Sequence, residues 1–98
     1  MRTRKILVVD DDESQRHIFC RRLSVEAYEV VVANSGLDAL TRIQDLRPDL
    51  VLADISMPRI DGIELLRIMR KAPQTAAIPV ILMTGMPVPI PQAVRPDH

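Results

Sequence analysis

The residues best suited to chemistry are acids that close two short apolar runs. Ile6-Leu7-Val8-Val9 ends in Asp10-Asp11-Asp12-Glu13, and Leu50-Val51-Leu52-Ala53 ends in Asp54, followed by Ile55-Ser56-Met57-Pro58-Arg59-Ile60-Asp61-Gly62. Both runs are short, branched and uninterrupted, as expected of parallel strands buried on both faces. Acids at their ends fall on the C-terminal edge of a sheet, where open α/β folds bind ligands. If the two strands are neighbours, about 4.8 Å apart, several carboxylates share one pocket. Such crowding is unfavourable unless a cation neutralises it. Mg²⁺ suits the set, because it takes one or two carboxylates together with waters and phosphate oxygens.

The elements that must position these acids alternate along the chain. Residues 14–25 read as an amphipathic helix with Ile18, Phe19 and Leu23 on one side and Arg16, Arg21 and Arg22 elsewhere. Asp12 or Glu13 can cap its start. Residues 28–33 are β-branched and read as a second strand. Ser35 with Asp38 forms a variant capping box, opening a helix with Leu37, Leu40 and Ile43 inward that ends at Pro48. Residues 50–53 form the third strand. Asp61 caps a third helix carrying Ile63, Leu66 and Met69, which stops before Pro73. Residues 79–83 read as a fourth strand, with Pro79 tolerable at its first position. Three β-α-β crossovers imply a doubly wound parallel sheet with right-handed connections. Beyond Gly85 the helical period stops, and Pro87, Pro89, Pro91 and Pro96 mark a Pro-rich tail.

Composition narrows the function classes. The 98 residues leave room for one domain, and 47% apolar content is enough to form a core. Lys plus Arg equals Asp plus Glu at 13 each, so bulk charge points to neither nucleic acid nor a membrane surface. Phe19 and Tyr28 are the only aromatics, too few for a base-stacking platform. Cys20 has no second cysteine to pair with and fits a reducing compartment. The basic start, Arg2 to Lys5, is followed by too few apolar residues before Asp10 for a signal peptide or membrane span. A cytoplasmic protein is expected. His17 reads as a helix-surface residue, Cys20 as unreactive, and Met57, Met69, Met83 and Met86 as filler.

Four motifs together resemble the receiver domain of two-component response regulators. They are Val9-Asp10-Asp11-Asp12, Ala33-Asn34-Ser35-Gly36, Asp54-x-x-Met57-Pro58-x-x-Asp61-Gly62 and Pro79-Val80-Ile81-Leu82-Met83-Thr84. Their order and spacing cover residues 5–85. The resemblance implies a flavodoxin-like sheet in the order 2-1-3-4, with β-strands one and three adjacent. It implies that Asp54 accepts a phosphoryl group from a sensor histidine kinase. It further implies that Asp10, Asp11 and Asp54 hold Mg²⁺ with the backbone carbonyl of Ser56, and that the Thr84 hydroxyl bonds the phosphoryl group and moves on switching.

The sequence also departs from the family pattern. Nothing after Thr84 matches the fifth βα unit, its lysine or its aromatic switch residue, so residues 1–85 are expected to form a truncated receiver and 86–98 a tail. Lys5 and Lys71 lie at the wrong ends of their elements to replace that lysine, and Arg59 is the nearest cation by sequence. A fourth strand left at the edge would favour a homodimer through residues 79–91. Prolines alternating at 87, 89 and 91 leave the Val88 and Ile90 N–H groups on one side, as suits an edge segment. An alternative reading is an interaction or dimerisation module that keeps the receiver shape without phosphorylation. A third, weaker, is a haloacid-dehalogenase-like phosphatase built on Asp10-x-Asp12, which has Ser14 where that motif wants Thr or Val. A receiver itself is a phosphoacceptor rather than an enzyme.

Overall fold

The computed structural model describes residues 3–83. In chain order these form β1 (Lys5–Val9), α1 (Glu13–Val25), β2 (Glu29–Ala33), α2 (Gly36–Leu46), β3 (Leu50–Asp54), α3 (Gly62–Lys71) and β4 (Val80–Met83). All four strands are parallel, in the order β2-β1-β3-β4. The sheet order and the neighbouring of β1 and β3 match the sequence expectation.

Strand alternation divides the core into two layers. Leu7, Val9, Val51 and Ala53 point to one face, where they meet Ala39 and Ile43 of α2 and Leu65 and Met69 of α3. Ile6, Val8 and Leu52 point to the other, where Phe19 and Leu23 of α1 cover them. Each helix opens on a side-chain cap at the C-terminal edge of the sheet. Asp12 accepts from the Gln15 N–H at 3.1 Å, Ser35 Oγ from Asp38 at 3.0 Å, and Asp61 from Glu64 at 2.8 Å. The reciprocal arm of the α2 box lands one residue early: the Asn34 N–H donates to Asp38 Oδ2 at 3.2 Å.

Three apolar residues face solvent against expectation. Ile18, Leu37 and Ile63 are 55%, 61% and 42% exposed. The buried stripes are instead Gly36, Ala39 and Ile43 on α2, and Gly62, Leu65 and Met69 on α3. Both stripes follow helical spacing, and both begin on glycine. Close approach of the helix start sets this phase. A Cβ on Gly36 would lie 2.7 Å from the Ile60 side chain, and one on Gly62 would lie 2.4 Å from the Asp54 carbonyl oxygen. Ranking by hydrophobicity favours Leu37 and Ile63, whereas geometry requires the residues without side chains.

Gly62 therefore lets α3 start directly against the end of β3. Its neighbours there are backbone atoms of Asp54 and Ile55, which cannot rotate away as a side chain can. Gly62→Ala should lower the unfolding free energy by about 1–3 kcal/mol, the range for overpacking a close contact. Urea denaturation checks this, and an unchanged midpoint would contradict the contact.

Candidate functional site

Register brings the acids together. Val9 is paired with Ala53 across β1 and β3, so the next residues, Asp10 and Asp54, stand level on adjacent strands. By alternation both side chains leave the sheet on the α1 side. Asp10 is fully buried and Asp54 is 6% exposed, while Asp11 is exposed. Each of the three offers a carboxylate oxygen, and these oxygens lie within 4.8 Å of one another.

The turn after β1 holds Asp10 at several points. Its N–H donates to the Ala33 carbonyl at 3.1 Å. Its carbonyl accepts from Arg16 Nη1 at 2.8 Å, and its Oδ1 accepts from the Asp12 N–H at 2.9 Å. The other oxygen, Oδ2, is buried without a hydrogen-bond partner. A buried polar atom in that state calls for an explanation, and a bound ion is one. On β3, the Ser56 N–H donates to Asp54 Oδ1 at 3.1 Å and fixes the turn of that carboxylate.

Electrostatics follow from the crowding. Burial, with the neighbouring Asp54 and Asp11 charges, raises the Asp10 carboxyl to about 6, against the lowering effect of its bond from Asp12. Three hard oxygen donors, one of them buried and unpartnered, fit a small divalent cation such as Mg²⁺. Nothing in the set suits a soft metal.

The remaining candidates separate clearly. Asp12 and Asp61 cap helices, and Glu13 lies exposed in the first turn of α1. Asp12 is thus turned to the Gln15 N–H as the cap of α1. Ser56 is exposed, and its N–H is the group seen at Asp54. Lys5 begins β1 at the opposite edge, where its N–H meets Asp49, and Lys71 ends α3. Arg59 is exposed, in the left-handed region at φ 66°. His17 is exposed. Burial raises the Cys20 thiol, opposed by Arg16, as suits an unreactive cysteine. Thr84 and most of the 79–91 segment lie outside the described residues. Two contributions escaped the sequence reading: the close approach at Gly62, which the sequence shows only as part of the third motif, and Arg16, which the helical pattern places only away from the apolar side of its helix.

The profile of the response regulator receiver domain matches residues 6–94. Response regulator MprA of Mycobacterium sp. (strain KMS) is 41% identical over 81 residues, 83% of this chain and 34% of that protein. A probable transcriptional regulator of Cyanophora paradoxa is 45% identical over 83 residues, 85% and 34% of the two chains. This chain thus spans about a third of the length of the curated relatives it matches. Among solved structures, the N-terminal domain of a response regulator receiver protein from Methanoculleus marisnigri JR1 superposes with a TM-score of 0.81 at 38% identity, covering 87% of this chain and 69% of that one. Vibrio cholerae chemotaxis protein CheY4 superposes at 0.82 with 32% identity, covering 90% and 73%.

The buried acid makes stability depend on pH. An acid whose folded pKa lies above its ordinary value holds its proton more tightly folded than unfolded. It costs nothing below about pH 4 and destabilises the fold progressively as pH rises through about 6. The rise of Asp10 from 3.8 to about 6 corresponds to as much as about 3 kcal/mol at pH 8. In metal-free buffer, Asp10→Asn should unfold at higher urea than the native chain at pH 8, and the two should converge near pH 4. A variant less stable than the native chain at pH 8 would contradict the cluster.

Proposed function

The chain belongs to the response regulator receiver domain family, and from that premise we propose that it takes a phosphoryl group onto Asp54 from a phosphohistidine of a sensor histidine kinase. The observation that carries this reading is the level placement of Asp10 and Asp54 on adjacent strand ends, with Asp11 beside them. Membership implies two-component signalling with a cognate kinase and a phosphoacceptor role, not an ordinary catalytic cycle. A cytoplasmic location belongs to the proposal; no helix among the described residues is long and apolar enough to cross a membrane.

In the proposed transfer, the N–P bond of the donor imidazole breaks and an O–P bond forms to an Asp54 carboxylate oxygen. The imidazole keeps the bonding electron pair and takes a proton from solvent. The Ser56 N–H holds Asp54 Oδ1, which leaves the carboxylate turned one way for attack. Asp10, Asp11, Asp54 and the Ser56 carbonyl would hold Mg²⁺, which when bound supplies positive charge to offset the developing phosphoryl charge. The low dielectric around Asp10 and Asp54 strengthens any such interaction. Thr84 would donate its hydroxyl to the phosphoryl oxygens.

The fixed cation of the family is not visible in these residues. Lysine occurs only at positions 5 and 71, and both are placed away from the acids. Incubation of the 98-residue chain with acetyl phosphate and Mg²⁺ should add one phosphoryl mass, abolished in Asp54→Asn. The rate should fall about two orders of magnitude below that of a receiver carrying the lysine, the usual effect of losing one electrostatic donor. Mass spectrometry reads both, and modification retained in Asp54→Asn would overturn the assignment.

The sheet edge supports a second element of the proposal, a homodimer through residues 79–91. Among the described residues β4 is an edge strand, and Ile81 is 51% exposed on it. An apolar edge pairs readily with another chain, and a two-fold pairing of like edges closes the assembly. Sedimentation at micromolar concentration should give a dimer that Ile81→Lys shifts to monomer. A native monomer would remove this element and leave the phosphoacceptor role untouched.

A further inference from the structure

Arg16 is half-buried on α1 and makes two ties to the turn that carries the acids. Its backbone N–H donates to the Asp12 carbonyl at 3.0 Å, as the first helical bond. Its Nη1 reaches back to the Asp10 carbonyl at 2.8 Å. The side chain borders a shallow groove with Cys20 of α1 and Val32 of β2, and the hydrogen bond to the Asp10 carbonyl is what settles where the guanidinium sits.

The Asp10 backbone is thereby gripped from both sides. Its N–H is fixed to β2 through Ala33 and its carbonyl to α1 through Arg16. The Asp12 N–H then takes Oδ1, and Oδ2 is the buried oxygen left without a hydrogen-bond partner. Without the guanidinium, Asp10 would keep its strand tie through Ala33 and lose the bond on its carbonyl, so that the stretch would be joined to α1 only at Asp12, by its cap and the first helical bond. Asp11 is the exposed member of the cluster and sits in the middle of that stretch.

We propose that Arg16 is a positioning residue of the acidic site, whose bond to the Asp10 carbonyl sets Asp10 and Asp11 against Asp54 for cation binding. This rests on the reading that the three acids hold Mg²⁺. Two effects of removing Arg16 have opposite signs. Taking a positive charge away from a cation site strengthens Mg²⁺ binding by simple Coulomb attraction. Loosening the turn that carries two ligands weakens it, and residues that orient metal ligands typically change affinity by ten- to a hundredfold.

The test is calorimetric titration of the 98-residue chain with Mg²⁺, at a temperature where circular dichroism shows every variant folded. Arg16→Met keeps an unbranched apolar stem and removes charge and donors; it should bind Mg²⁺ about tenfold more weakly. Arg16→Lys keeps the charge and one donor and should recover most of that loss. Amide exchange should quicken at Asp12, whose N–H is held by Asp10 Oδ1, in Arg16→Met while Leu7 and Val51 keep their native rates, which a general loss of stability would not produce. If Arg16→Met does not fold, Arg16→Gln, whose head is too short to reach the Asp10 carbonyl, is read in the same way. Equal or tighter Mg²⁺ binding without the guanidinium would overturn the proposal. Absence of Mg²⁺ binding by the native chain would instead remove the metal reading on which it stands.

Discussion

The constraint on which the site depends is the register of β1 against β3. Val9 opposite Ala53 leaves Asp10 and Asp54 level, at neighbouring strand ends where the sheet stops. A slip of one residue would turn every side chain of β1 to the other face. Leu7 and Val9 would leave the layer they share with α2 and α3, and Ile6 and Val8 would leave the layer under α1. Apolar packing on both faces therefore holds two acids together that would otherwise repel. The electrostatic strain concentrates on Asp10, the fully buried one, whose carboxyl is raised mainly by desolvation. Core burial is worth roughly 25 cal/mol per Å² of apolar surface, and several strand residues are wholly enclosed, so the sheet can carry this local penalty.

The rest of the architecture limits where those acids can go. Gly62 admits the start of α3 directly against the Asp54 carbonyl, and Asp61 caps that helix one residue earlier. Gly36 does the same for α2, whose first turn meets Ile60 of the loop after β3. On the other side Arg16 ties α1 to the Asp10 carbonyl. Helices thus start close to the site on both faces of the sheet. Their positive N-terminal ends lie toward the acidic edge, which favours negative charge there. A sheet edge of this kind is a ready place to gather more negative charge, provided that a cation joins it.

Much of this was legible in the residues. Apolar runs ending in Asp10 and Asp54 marked the strand ends, Asp12, Ser35 and Asp61 marked the helix starts, and the motif order pointed to the sheet order 2-1-3-4. The helix phases were not legible, because Gly36 and Gly62 rank low on any hydrophobic scale and matter through what they let approach. Arg16 escaped because its partner is a backbone carbonyl six residues back, which no side-chain pattern records. The bond from the Ser56 N–H to Asp54 was not legible either, because it is a backbone contact within a turn. The unequal burial of Asp10 and Asp11 was equally hidden, since adjacent identical residues differ only once a turn intervenes.

Asp10, Asp11 and Asp54 are proposed to form one cation site. Mn²⁺ shares the preference of Mg²⁺ for octahedral oxygen ligands and scatters anomalously. An anomalous difference map from crystals of this chain grown with Mn²⁺ tests the claim most directly. It should show one strong peak among the carboxylates of Asp10, Asp11 and Asp54. A well-ordered site without that peak, or with Mn²⁺ bound only elsewhere on the molecule, would contradict it.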